Sequence, residues 1–154
     1  MSSERTTLVY VTYIASTAEK VFAAITRPEI SRQYWGHENV SDWQVGSDWA
    51  HVRDNDEHTV NLVGKVVEIA PPHRLVVSWA NNSQKDDPQA YSKVSFEIED
   101  YDDMVRLTVT HDDLVAGSGM HMGVSKGWPI VLSSMKSYLE TGRALDIFAK
   151  PKAA

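Results

Sequence analysis

Apolar and polar residues alternate with period two along several stretches of this chain and recur at helical spacing along others. The alternation is clearest in Leu75/Val77/Trp79, Val94/Phe96/Ile98 and Val105/Leu107/Val109. Successive strand side chains point to opposite faces, so each triplet marks a strand with one buried and one wetted face. Arg74 to Ala80 is one such strand, ended by a polar loop from Asn81 to Gln89. Tyr91 to Glu99 and Met104 to His111 form a hairpin across Asp100 to Asp103. Upstream, Thr59 to Ile69 is a strand closed by Pro71-Pro72, and Asp54-Asn55-Asp56 is a turn. Asp42 to Val52 is broken by Gly46-Ser47, a hairpin or bulge. Thr7 to Ile14 is rich in β-branched and aromatic residues and reads as a first strand, with Val9, Val11 and Tyr13 on one face.

Two short helices are predicted after that strand. Ser16 and Glu19 have capping-box spacing, in which each side chain satisfies a backbone donor of the other. Ala18, Val21, Phe22 and Ile25 then recur at helical spacing, and Arg27-Pro28 stops the helix. Thr26 and Glu29 form a second box for a helix reaching Trp35, with Gly36 as C-cap. Past the flexible joint Ala116-Gly117-Ser118-Gly119, a long helix runs from about Met120 to Thr141. Its apolar stripe is Trp128, Val131, Leu132, Met135, Tyr138 and Leu139. Ser133, Ser134, Lys136, Ser137 and Glu140 are assigned to its wet face, and Gly142 caps it. Pro129 either opens this helix or kinks a longer one. The expectation is one α+β domain over residues 1–154, with a curved antiparallel sheet of about six or seven strands. A lone amphipathic helix after such a run has one efficient place to bury its stripe, the concave face of the sheet.

The order and spacing of several segments resemble the START-like, or birch-pollen-allergen-like, helix-grip (SRPBCC) superfamily. Within it they resemble the family related to the C-terminal domain of the activator of heat-shock-protein-90 ATPase. These segments are Ile14-Ala15-Ser16-Thr17-Ala18-Glu19-Lys20-Val21-Phe22, Thr26-Arg27-Pro28-Glu29, Tyr34-Trp35, Ser41-Asp42-Trp43-Gln44-Val45-Gly46-Ser47, Pro71-Pro72-His73-Arg74-Leu75, Leu107-Thr108-Val109-Thr110-His111, and Gly127-Trp128-Pro129 with Leu132-Ser133-Ser134. The resemblance implies a cavity for an apolar ligand between sheet and final helix. It supplies no catalytic residues. It implies no chaperone stimulation either, because the eukaryotic activators use a further N-terminal domain without a counterpart here.

Composition narrows the chemistry. The 154 residues contain no cysteine, which removes disulfides, thiolate metal sites and thiol nucleophiles and suits a reducing, cytoplasmic setting. Met1 to Thr7 lacks the apolar core of a signal peptide, and no apolar run approaches a membrane span. The net charge of −6 argues against nucleic acid as partner, and acidic clusters such as Asp54–Asp56–Glu57 read as solvated turns. His37, His51, His58 and His73 fall on different elements without ligand spacing, so neither metal nor cofactor is expected.

The five tryptophans are Trp35, Trp43, Trp49, Trp79 and Trp128. They serve as core packing or as aromatic walls of a ligand site, and both roles fit different members. By strand parity His111 points inward beneath the final helix. There it would orient a ligand or act as an acid–base, or more simply hydrogen-bond to the neighbouring loop. The candidate ligand-binding set is Trp35, Trp79, Phe96, Val109, His111, Met120, Trp128 and Met135. Three readings follow. The first is binding of a small hydrophobic or aromatic molecule. The second is a cavity enzyme of cyclase, dehydratase or hydrolase type. The third is an interaction role with a chaperone or a second copy of the chain.

Overall fold

The computed structural model describes residues 4–145. Strand β1 (Arg5–Ile14) leads into helices α1 (Ala18–Thr26) and α2 (Pro28–Trp35). Strands β2 (His37–Ser41), β3 (Asp48–Arg53), β4 (Val60–Ala70), β5 (Arg74–Asn81), β6 (Ser92–Tyr101) and β7 (Met104–Val115) follow, then helix α3 (Gly119–Thr141). All strand pairs are antiparallel, in one seven-stranded sheet of order β1-β7-β6-β5-β4-β3-β2. The three alternating triplets all lie inward and are buried, against Trp128, Val131, Leu132 and Met135 of α3. This is the helix-grip arrangement. Pro129 sits inside α3, as a longer helix interrupted rather than a helix begun. It has no N–H for the Ser125 carbonyl one turn back, and the Tyr10 hydroxyl donates to that carbonyl instead at 3.3 Å.

Several local expectations are corrected. β2 carries no strand signal of its own, because His37–Ser41 is mostly polar, and its antiparallel pairing with β3 makes it a strand. The cap of α1 is Thr17, whose hydroxyl accepts from Lys20 N at 3.2 Å. The Ser16 amide bonds Ile14 O in a tight turn, which moves the helix start one residue on. Thr26 does not cap α2 either. Its hydroxyl donates to Phe22 O, and Pro28 at the first turn supplies a preset φ with no side-chain cap needed. Ser134 is fully buried, not wet, and donates to Tyr34 O at 2.8 Å, fastening α3 to α2. Val9, Val11 and Tyr13 do share a face, but it is the solvent face. The caps at Gly36 and Gly142 stand as expected, both with positive φ.

Candidate functional site

Five aromatic side chains and three histidines meet where β3, β5 and β7 pass beneath α3. Trp79 on β5 is central, with ring centroids 5.3 Å from Trp49, 5.5 Å from Trp128 and 5.4 Å from His111. Trp35, at the end of α2, reaches Trp128 at 5.7 Å and His51 at 4.6 Å. Phe96 supports Trp128 edge-on at 5.9 Å. The strand members follow from parity and Trp128 from the stripe of α3, while Trp35 enters from the end of α2.

The two buried histidines, His51 and His111, are held neutral. The indole N–H of Trp128 donates to His111 Nδ1 at 3.0 Å, which places the ring proton of His111 on Nε2. Nε2 faces Ser92 Oγ at 2.7 Å, and Ser92 passes its own hydrogen to Trp79 O. Both ring nitrogens are therefore occupied. Burial lowers the His111 pKa from 6.5 to about 4, against a smaller upward pull from Asp112. His51 follows the same rule. Asn39 donates to Ile25 O, so its carbonyl oxygen accepts from His51 Nδ1–H at 2.6 Å. Burial, with the neighbouring His37 ring second, pushes His51 well below its ordinary range. His37 stacks on it with centroids 4.2 Å apart.

A pH dependence follows with a definite sign. At pH above 6.5 both folded and unfolded His111 are neutral; below it the unfolded chain takes up a proton that folded His111 refuses until about pH 4. Stability should thus decline as pH falls across that window, by about 3 kcal/mol from His111, and His51 adds to the fall. His111 ring resonances with a midpoint near 4 would support this; a midpoint at the ordinary histidine value would contradict it.

One polar atom in the cluster is not served. Trp79 is 4% exposed, and its indole N–H is buried without an acceptor among the described residues. Trp79 borders two spaces. The inner one, toward Trp43, Trp49 and Phe96, is about 10 Å³, too small for more than one water. The outer one is an open cleft of about 90 Å³ between Trp35, Trp79, Trp128 and the α3 residues Gly123, Val124, Gly127 and Val131. A Cβ built at Gly123 or Gly127 meets no atom within 4 Å.

These spaces correct the expectation of a ligand-sized cavity beneath α3. Ordinary ligand sites occupy roughly 300–1,000 Å³, and here the tryptophans themselves fill the interior. Of the expected residues, Trp35, Trp79 and Trp128 line the cleft, while Phe96 backs the inner void. Val109 and Met135 are completely buried and line neither space. His111 lies behind Trp79 and Trp128 with no free nitrogen, bonded to a strand and a helix and not to a loop. Met120 borders a separate, more polar depression near Gln89 and Ser118. Sequence reasoning missed Asn39 and His51. The inward parity of His51 with Trp49 was the available signal; nothing marked Asn39.

A larger concavity, about 760 Å³, lies on the other side of the sheet, between Ala50, Val63 and Ser78 and the loop from Lys85 to Tyr91. It is a solvated groove crossed by the Lys65–Asp48 ion pair and holds no unpaired buried polar atom, so it is not the candidate site. Among the described residues no three His, Asp or Glu side chains converge as a metal set, and no helix is long and apolar enough to cross a membrane.

The family model of "Activator of Hsp90 ATPase homolog 1-like protein" matches residues 15–140. The chain belongs to this family. Among solved structures it is similar to the Aha1 dimer from Colwellia psychrerythraea, with TM-score 0.75, 20% identity, and 90% of this chain and 99% of that one covered. It is similar to CalU16 from Micromonospora echinospora at TM-score 0.69 and 18% identity, covering 92% and 88%. An HSP90 activator from Plasmodium falciparum follows at 0.64 and 20%, covering 79% and 86%. At these identities the likeness is one of fold. None of the curated proteins matches significantly.

Proposed function

We propose that this family member binds a small, neutral, aromatic molecule in the cleft between Trp35, Trp79, Trp128 and the glycine-bearing half of α3. The observation that carries the reading is the buried Trp79 N–H without an acceptor. Leaving such a donor unpaired costs roughly 1–3 kcal/mol, which a ligand oxygen or nitrogen would recover by drawing the Trp79 ring toward the cleft, since Nε1 has essentially no accessible surface. The aromatic walls supply stacking area, and the missing side chains at Gly123 and Gly127 keep the mouth open. Neutrality follows from the lining, which contains no charged side chain, so an ion would lose hydration without a counter-charge. The cleft suits a single ring unless Trp35 or α3 moves aside.

Quenching of tryptophan fluorescence by phenol, indole and benzamide tests the reading against benzoate as the charged control. Gly127→Ala separates binding from folding. Alanine replaces a glycine inside a helix, so the variant should gain up to about 1 kcal/mol of stability. The same methyl group narrows the cleft and should weaken binding several-fold. Unchanged affinity in the more stable variant would move the site elsewhere. An acid–base role for His111 gains no support, since both its nitrogens are engaged and it stays neutral. The chaperone-regulating reading rests on the family match and on the likeness to the Plasmodium falciparum activator, with no residue of the site behind it.

A further inference from the structure

Strand β1 is an edge of the sheet, and its outer face is unusually apolar. Val9 is 58% exposed, Val11 52% and Tyr13 39%, and Tyr101 (48%) packs edge-on against Tyr13 at 5.2 Å. The direction of its backbone groups can be derived. The two-residue turn Asp102–Asp103 makes Tyr101 and Met104 the closing hydrogen-bonded pair of the β6–β7 hairpin. Counting by twos, Val105, Leu107, Val109 and His111 turn their backbone groups toward β1. Their partners are Ile14, Thr12, Tyr10 and Leu8. Val9, Val11 and Tyr13 therefore point their N–H and C=O groups off the open edge. Side-chain contacts agree. Lys136 Nζ donates to Tyr13 O at 2.6 Å, and Glu140 Oε2 accepts from Ala15 N at 2.8 Å. This Lys136–Glu140 clamp closes one end of the edge. Val9 and Val11 keep their edge-facing groups unpaired among the described residues.

We propose that β1 pairs antiparallel with β1 of a second copy of the chain, about a two-fold axis beside Tyr10. In this register Val9 of one copy exchanges both backbone hydrogen bonds with Val11 of the other, and the reverse pair repeats it. The four valines then form one apolar row on the outer face, extended by Tyr13 and Tyr101. The clamp sets the limits of the paired segment. Charge favours a like partner: Thr6 to Thr17 carries no Asp, Glu, Lys, Arg or His in a chain of net charge −6, so two copies meet here without repulsion between the strands. The opposite edge, β2, is only five residues long and carries the Arg32–Glu38 ion pair, features that blunt an edge. The contact is smaller than the roughly 800 Å² per partner of a standard interface, so the dimer is weak and concentration-dependent.

Sedimentation of the full chain across a concentration series tests the pairing. A reversible dimer is expected, with slowed amide exchange at Val9 and Val11 as it forms. Val11→Lys and Val9→Glu should each weaken it about tenfold or more, with unchanged melting because both sites are solvent-exposed. Val45→Lys, on a remote exposed turn, should leave it intact. Mixing Val11→Lys with Val9→Glu should restore a heterodimer, because residue 11 of one copy faces residue 9 of the other. A chain monomeric up to about 1 mM, well beyond a weak-dimer range, would overturn the proposal. So would a dimer indifferent to Val11→Lys, or a mixture without rescue.

Discussion

Gly64→Ala should lose at least about 4 kcal/mol of stability or fail to fold, placing it among the largest single-residue effects. A Cβ at Gly64 would lie 1.8 Å from the Ser78 carbonyl oxygen, 2.5 Å from its carbon and 2.6 Å from Trp49 Nε1. Two of these neighbours are backbone atoms of a central strand and cannot swing away. The close approach arises where the β4–β5 ladder is interrupted. Val63 pairs with Ala80 and Val66 with Val77, and between them Trp49 Nε1 donates to Ser78 O at 2.7 Å while Lys65 N bonds the Ser78 hydroxyl. Trp49 thus replaces a backbone donor, and only a residue without a side chain leaves room for its indole. Urea unfolding followed by circular dichroism measures the loss. A variant within 1 kcal/mol of the parent chain would mean that the strands part here more easily than this packing implies.

Trp128→Ala carries the second large expected effect, a loss of about 3–5 kcal/mol. Trp128 is 3% exposed and touches Trp35, Trp79, Phe96 and His111, so alanine leaves a large void lined by rigid rings. It also strips His111 Nδ1 of its donor, which pushes the loss toward the upper end of the range. Trp128→Phe keeps most of the volume but removes the N–H, and should fall between alanine and the parent. Equal stability for phenylalanine and tryptophan would show that the bond to His111 contributes nothing net.

Much of this architecture was legible in the chain because burial imposes period two on β5, β6 and β7 and helical period on α3. Those signals place Trp79, Phe96, His111 and Trp128 together before any coordinates are known. What escaped has local causes. Ser134 shares composition with the wet face, and only its bond to a carbonyl of α2 explains its burial. The polar strand β2 is defined by its partner. Val9, Val11 and Tyr13 obey strand parity, yet parity does not say which face is inward; Leu8, Tyr10 and Ile14 are the inward set. Cavity size was least legible of all, since it depends on how rings interleave. Tryptophans predicted as pocket walls turn out to be both walls and filling, and leave about 90 Å³.

The unpaired Trp79 indole proton can be watched directly. In nitrogen–proton correlation spectra of the parent chain titrated with phenol, its resonance should move downfield in a saturable way as it gains an acceptor. The indole signals of Trp35 and Trp128 should shift with it, and that of Trp43, which does not border the cleft, should stay in place. A Trp79 signal that holds still while phenol saturates the protein, or an absence of saturation with phenol, indole and benzamide alike, would contradict binding at this cleft.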